Sequence, residues 1–253
     1  MNRGYQRMLD ICRRDRDVLL SEYCARRKLD KPPIPATVAD EIIKDVLELD
    51  LVWETLGPKV LGETDYDQRL IRINESADFS QCPKADREGI ESFTKGHEIG
   101  HWRVFGHEAA IRAEVAEGQL SMSFMPSRQG SMIVCRAPWD ADRHKLPKEQ
   151  QRREFQADTY ASAFLVPEAQ LVQQPEIQEL IALGQSGKAI AEAHVWRLIY
   201  PAAARFLVSP TMMKNVLTSL GIVAISGGRI SLTGQCSLGL GTKPTAGGGD
   251  DVE

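Results

Sequence analysis

The sequence is short of cysteines and aromatic residues, has no strong charge of either sign and contains no long apolar run. The five cysteines are an odd number without a CxxC pair, which indicates neither a disulfide framework nor a cysteine-based zinc site. They are Cys12, Cys24, Cys82, Cys135 and Cys236. No stretch approaches the roughly 20 apolar residues that span a bilayer, and the N-terminus lacks the apolar core of a signal peptide. We therefore expect a cytoplasmic protein with no membrane contact.

The composition is that of an ordinary folded protein. The chain has 253 residues, of which 42% are hydrophobic and 26% charged, enough for one sizeable core and a small appended unit. Its formal net charge is −4. This balance gives no overall positive surface for nucleic acid or for an anionic membrane, so direct binding to nucleic acid is not expected.

The most informative stretch is the run His-Glu-Ile-Gly-His at residues 97–101. On a helix of about 3.6 residues per turn, His97 and His101 lie about 40° apart around the axis, so both rings can reach one ion. Glu98 is displaced by about 100° and can instead reach a water molecule in the open coordination position. The pattern predicts a catalytic zinc site with His97 and His101 as ligands and Glu98 as general base.

The surrounding residues 86–105 have the period of an amphipathic helix without an internal proline. Its inner face is formed by Ile90, Phe93, His97, His101 and Val104. Gly96 and Gly100 would weaken this helix by about 1 kcal/mol each. They predict the close approach of another backbone or of a substrate, with two merely tolerated glycines as the alternative. The competing interpretation of the two histidines is a pair that binds no metal.

A catalytic zinc site needs a third protein ligand, for which Glu154 is the best candidate. It lies on a predicted helix over residues 147–166. Asp158 follows one turn later, so if Glu154 binds zinc, Asp158 is placed to accept the free ring N–H of one histidine as a second-shell partner. The alternative is that Glu154 is a surface carboxylate paired with Arg152 or Arg153.

At these residues the chain resembles the ImmA/IrrE family of zinc metallo-endopeptidases. Phe93-Thr94 before the histidine run is similar to the family's first sequence block. Residues 154–161, followed by Leu165-Val166-Pro167, resemble its second block, which has the form Glu-x-x-Ala-Asn/Asp. The resemblance covers roughly residues 33–225.

Two features depart from the family pattern. Lys95-Gly96 stands where an apolar residue and alanine are usual. The stretch between His101 and Glu154 is also longer than expected. These departures affect the expected shape of the substrate cleft more than the metal site.

The patterns and the resemblance together imply an α+β fold. We expect a zincin-like metalloprotease domain, with the HExxH helix and a small, mainly antiparallel sheet, and a C-terminal helical, winged-helix-like subdomain. The expected units are a helical arm with a proline-rich connector (1–33), the catalytic domain (34–170), the C-terminal subdomain (171–233) and a disordered tail (234–253).

Two patterns in the N-terminal half concern the neighbourhood of the site. Thr37 has the sequence context of a capping box that starts a helix running to Leu49. Residues 60–61 and 70–73 predict a hairpin, separated by polar residues. This hairpin is our candidate for an edge strand that binds substrate by strand addition.

The C-terminal part predicts short helices followed by a hairpin around Gly227-Gly228. Its second helix, over residues 211–220, offers only Lys214 and Asn215 as contacts for DNA. We therefore expect this unit to complete the core or to present a protein substrate.

The expected function is zinc-dependent hydrolysis of a peptide bond in an intracellular protein, by Glu98-assisted attack of zinc-bound water. The resemblance implies a protein or peptide substrate, often a DNA-binding helix-turn-helix repressor, and hence a role in transcription regulation. Several residues are candidates for the second donor to the oxyanion, and no choice follows from sequence: His107, His144, Arg136 and Tyr66. Cys135 is expected to be an inert buried thiol, with an inhibitory thiolate at the open zinc position as the alternative.

Two hypotheses from other classes remain open. The chain could be a non-catalytic binding or regulatory module that recognises a repressor or toxin partner, with a structural metal or none. Glu98 argues against this, because a structural zinc site closes all four positions and needs no general base. A DNA-binding regulator acting through the C-terminal unit is the third hypothesis, which a salt-dependent duplex-binding assay would test.

Overall fold

The computed structural model describes residues 3–77, 87–116, 131–136 and 145–233. It has an α+β fold in which a four-stranded sheet lies beside a group of helices. The predicted tail at residues 234–253 lies outside the described residues. None of the described helices is both long and apolar enough to cross a membrane.

The chain begins with the long helix α1, Arg3–Arg27, which packs against α5, Lys148–Leu165. Arg16 donates a hydrogen bond to the carbonyl of Ala163 at 2.8 Å and is buried together with it. Asp15 accepts from Arg103 at 2.6 Å and from the Tyr160 hydroxyl at 2.7 Å. The N-terminal helix therefore braces the two helices that carry the predicted site.

The helix predicted to start at Thr37 has a different form, and the capping-box prediction is wrong. Residues 35–46 form a 3-10 turn (Pro35–Val38), a single α-turn α2 (Ala39–Glu41) and a π-helical turn (Ile42–Val46). The Thr37 hydroxyl donates to the Ile34 carbonyl at 2.7 Å and caps no helix N-terminus. The wider π turn buries Ile42 and Ile43 in the core, which offsets the poorer helical geometry.

The sheet is formed by β1 (Asp50–Glu54), β2 (Val60–Asp65), β3 (Leu70–Asn74) and β4 (Met132–Arg136) in the order β1-β3-β2-β4. It is mixed: β1 pairs parallel with β3, and β2 pairs antiparallel with both β3 and β4. The predicted hairpin is present as β2 and β3. Since each of its strands has a neighbour on both sides, the prediction that it offers a free edge to substrate is wrong. The edges of the described sheet are β1 and β4.

Helices α3 (Arg87–Arg103) and α4 (His107–Ala116) follow β3, and α5 follows β4. Helices α3 and α5 agree with the two predicted helices, whereas α4 was not predicted. Phe105 and Gly106, with φ of 66° and 65°, adopt left-handed conformations between α3 and α4. The chain changes direction at these two residues, which places His107, the first residue of α4, against the end of α3.

The C-terminal part contains α6 (Glu168–Leu171), α7 (Pro175–Gln185), α8 (Glu192–Arg205), α9 (Pro210–Ser219) and the hairpin β5 (Val223–Ser226) with β6 (Arg229–Leu232). Ser209 caps α9 by accepting from the Met212 N–H at 3.1 Å. Gly227 and Gly228 both have positive φ, 55° and 78°, as a two-residue hairpin turn requires. The predicted helices and hairpin of this part are confirmed, and their apolar faces belong to the same buried cluster as α1, α3 and α5.

Candidate metal centre

The centre lies where α3 and α5 cross at unusually close range. A Cβ atom added at Gly100 would lie 2.8 Å from the Cβ of Tyr160, and one at Gly96 would lie 3.3 Å from the Cα of Ala161. Only residues without a side chain permit this approach of the two backbones. The predicted close packing at these glycines is confirmed, and the neighbour is helix α5.

This packing brings together the three predicted ligands, all of them buried. The Nε2 atoms of His97 and His101 lie 2.9 Å apart. Glu154 reaches both rings, with its carboxylate oxygens 3.6 Å from His97 Nε2 and 3.4 Å from His101 Nε2. The alternative in which Glu154 is a surface carboxylate is wrong, because its neighbour Arg153 pairs instead with Glu114 at 2.9 Å.

Asp158 lies behind the ring of His97, as its i, i+4 spacing from Glu154 predicts. Its Oδ1 lies 3.0 Å from Nδ1 of His97, and its side chain is 32% exposed. A carboxylate in this position fixes the ring with its proton on Nδ1, which leaves the Nε2 lone pair directed at Glu154 and His101.

The ring of His101 has a different partner, His107, which the sequence did not assign to this role. Nδ1 of His101 lies 2.8 Å from Nδ1 of His107, and Nε2 of His107 lies 2.9 Å from Oε1 of Gln156. The Gln156 oxygen can only accept, so it fixes the His107 proton on Nε2. His107 Nδ1 then accepts from His101, and the Nε2 lone pair of His101 is left for a metal.

The protonation states of Glu154 and His101 fit a bound cation. Burial raises the pKa of Glu154, but the adjacent rings of His101 and His97 outweigh this effect, so that pKa lies well below its ordinary value. Burial lowers the pKa of His101 to about 3. A carboxylate and a neutral imidazole are the forms in which these side chains bind metals, so the donor set suits zinc.

Glu98 is fully buried beside this group. Thr64 donates a hydrogen bond to its Oε2 at 2.6 Å, whereas Oε1 has no hydrogen-bond partner among the described residues. Burial raises the pKa of Glu98 to about 8, against the opposing effects of His97 and Thr64. Burial therefore favours the protonated form, whereas a cation held beside Glu98 would lower its pKa and favour the carboxylate that a general base requires.

Gly62 on β2 is what allows the strand to pass so close to Glu98. A Cβ atom at this position would lie 2.6 Å from Thr94 Cγ2 and 2.9 Å from Glu98 Oε1. The sheet and α3 therefore enclose the predicted base between them. Neither Thr64 nor Gly62 was predicted, because the HExxH pattern carries no information about the strand that packs on it.

The comparisons with known proteins leave the family open. No family model and no curated protein matches the chain. Among solved structures, the chain is similar to a Mycobacterium tuberculosis transcriptional regulator, with 14% identity and a TM-score of 0.41. The similarity covers 87% of this chain and 52% of the other, so the chain spans about half the length of that regulator.

Cys135 on β4 belongs to a second buried group, with His97 and Glu98. One ligand atom from each of the three residues lies within 4.8 Å of the other two. Burial raises the pKa of its thiol to about 11, against the opposing effect of His97. The predicted burial of this thiol is confirmed, and Cys12, Cys24 and Cys135 are free among the described residues.

The four candidates for a second oxyanion donor fare differently. The Tyr66 hydroxyl donates to the His101 carbonyl at 2.9 Å, and His107 is engaged behind His101. Both groups therefore already have partners on α3, and the identity of the second donor stays open. His144 and the Arg136 side chain lie outside the described part of the chain.

Proposed function

We propose that the chain is a zinc-dependent metallo-endopeptidase of the ImmA/IrrE type. The observation that carries the proposal is the convergence of His97, His101 and Glu154 at one buried point beside Glu98. Two imidazole rings and a carboxylate are the ligand set of many catalytic zinc sites, which keep a further position open.

A zinc ion held by these three residues would supply Lewis-acid polarisation of the scissile carbonyl and would lower the pKa of the attacking water towards about 7. Glu98 takes the proton of that water on its free Oε1 and returns it to the leaving amine. Thr64 holds the other oxygen of Glu98 at 2.6 Å, so the carboxylate keeps one orientation through both transfers. Asp158 and His107 orient the two rings.

The presence of Glu98 favours an enzyme over a purely structural metal site or a binding module. Taking a carboxylate out of water costs free energy unless it is used or paired. In this chain one of its oxygens is left without a partner among the described residues. A structural site has no use for such a group.

We extend the same proposal to the fold type of each part and to the binding partners. The α+β core would be a zincin-like domain, and α8, α9 and the β5–β6 hairpin would form the winged-helix-like subdomain. We infer a protein or peptide substrate in the cytoplasm, with a helix-turn-helix repressor as the partner class that the family resemblance implies.

The experiment measures metal content and peptide hydrolysis on the same purified preparations. Glu154→Ala should lower zinc affinity by at least about a hundredfold, because it removes a ligand and not only an outer partner. Glu98→Gln should keep zinc at wild-type stoichiometry and abolish cleavage of a mixed-sequence peptide library. Glu149→Ala, on the exposed first turn of α5, is the matched control and should change neither quantity.

Two outcomes would contradict the proposal. Unchanged zinc affinity in Glu154→Ala would remove this residue from the site. Full hydrolysis by Glu98→Gln would remove the base from the mechanism. Stoichiometric zinc in a wild-type protein that cleaves neither the library nor a repressor would favour the binding module.

A further inference from the structure

The described structure holds one cysteine against the metal centre. Cys135 lies on β4, in register with Gly62 of β2, and is 1% exposed. Its sulfur forms a group with a ring nitrogen of His97 and a carboxylate oxygen of Glu98, all within 4.8 Å of one another. The other described cysteines, Cys12 and Cys24, lie on α1 and join no such group.

A second observation points to a ligand in the same place. Glu98 Oε1 is buried and has no hydrogen-bond partner among the described residues. A buried acceptor without a donor is costly, so a group that interacts with it belongs between Glu98, His97 and Cys135. His97 is shared between this group and the one formed with His101 and Glu154. The sulfur therefore lies on the His97 side of a metal that the three predicted ligands would hold.

We propose that Cys135 is a displaceable fourth ligand, which closes the metal site in the resting enzyme. The proposal rests on the metal site of the proposed function. Ligand atoms on a tetrahedral zinc lie about 3.5 Å apart, given bond lengths of about 2.0 to 2.3 Å.

The exchange of ligands balances without any oxidant or reductant. When the sulfur–metal bond forms, the S–H bond breaks, and the proton passes to Oε1 of Glu98. When substrate or water takes the position, the sulfur leaves and the thiol recovers its proton. In the closed form four protein groups fill the coordination sphere, so no position remains for the attacking water.

The position of Cys135 suits a ligand that must leave. Strand β4 is an edge of the described sheet, joined to β2 on one side. An edge strand is held by one ladder of hydrogen bonds and can shift more easily than an interior strand. His97, His101 and Glu154 lie on two long helices and stay in place.

The test loads the full chain with Co²⁺ in place of zinc and records its absorption spectrum. A thiolate ligand gives an intense sulfur-to-cobalt band in the near ultraviolet. We expect this band in the wild type, its loss in Cys135→Ser and its retention in Cys24→Ser, the matched control on α1. All three proteins should bind cobalt at the same stoichiometry.

The outcomes separate this proposal from the metal site on which it rests. If cobalt binds one to one, depends on Glu154 and gives no sulfur band, Cys135 is not a ligand although the centre exists. If cobalt does not bind at all, both the centre and the fourth ligand are overturned. A band that survives in Cys135→Ser also rejects the assignment.

A second measurement needs no variant. Iodoacetamide alkylation of the wild type, followed by mass spectrometry, should label Cys135 at least about tenfold more slowly with zinc than without it. Labelling of Cys24 should not respond to zinc. Equal labelling of Cys135 in both states would overturn the proposal.

Discussion

Helix α3 carries the dipeptide Gly-His twice, one turn apart, and the structure treats the two copies differently. His97 is backed by Asp158, a charged group that is one-third exposed. His101 is backed by the buried His107 and, behind it, the half-buried Gln156, both of them neutral. Gly100 is packed against Tyr160 more tightly than Gly96 is against Ala161.

The two predicted histidine ligands are thus oriented by different kinds of partner. Burial lowers the pKa of His97, but Cys135, Asp158 and Glu154 raise it more, and that pKa lies well above its ordinary value. Burial also lowers the pKa of His101, and there it outweighs the opposing effect of Glu154. One ring is thus made basic by a carboxylate, and the other is fixed in one tautomer by a relay of neutral groups.

The largest effects should come from removing the two backing groups. Asp158→Ala and His107→Ala should each lower zinc affinity by about ten- to hundredfold, measured by competition with a chelator. At high salt the penalty of Asp158→Ala should shrink, because its charge is partly exposed and screened. The penalty of His107→Ala should not change with salt. His194→Ala, on the surface of α8, is the control for loss of a histidine.

Equal salt dependence for both variants would break the distinction between a charged and a neutral support. A wild-type affinity in His107→Ala would show that the tautomer of His101 is fixed by another group.

The two glycines should differ in stability. In Gly100→Ala the new methyl group meets the Cβ of Tyr160 at 2.8 Å, and overpacking of this kind costs about 1 to 3 kcal/mol. The gain in helix propensity returns about 1 kcal/mol. We expect a net loss of up to about 2 kcal/mol in the free energy of unfolding, measured with urea.

Gly96→Ala is the matched comparison, since its contacts at 3.3 to 3.4 Å require only a small shift. The cost and the gain should nearly cancel there. A larger loss for Gly96→Ala than for Gly100→Ala would contradict the packing described between α3 and α5.

The smallest effect should come from Gln156→Ala. It removes only the outermost acceptor of the relay, at 2.9 Å from His107, and leaves His107 in contact with His101. Zinc affinity should fall by less than about tenfold, since the ring beside the ligand remains. A loss as large as that of His107→Ala would mean that Gln156 alone sets the proton positions.

The parts of the site that follow helical spacing could be predicted from sequence. The period of residues 86–105 gave α3, and the i, i+4 pairs gave His97 with His101 and Glu154 with Asp158. These relations are local, because positions four residues apart share a face on any α-helix. The Gly227-Gly228 hairpin was equally local.

Other parts of the structure have only weak patterns in the sequence. Helix α4 was not predicted, although the alanines of residues 109–116 and the Glu108–Arg112 pair are typical of a helix. The capping box at Thr37 failed because burial of Ile42 and Ile43 favoured a π turn over a regular start. The interior position of the β2–β3 hairpin depended on β1 and β4, which lie elsewhere in the chain.

The sequence by itself determined which faces of two helices carry the histidines and the carboxylates, because that depends only on the helical repeat. Tertiary structure alone decided that Glu154 meets both rings, that His107 and Gln156 stand behind His101, and that Cys135 and Thr64 reach His97 and Glu98. These contacts join residues far apart in the chain, so their distances depend on how closely the helices and strands pack. Gly62, Gly96 and Gly100 carry no Cβ atom, and this permits the close approach of these helices and strands.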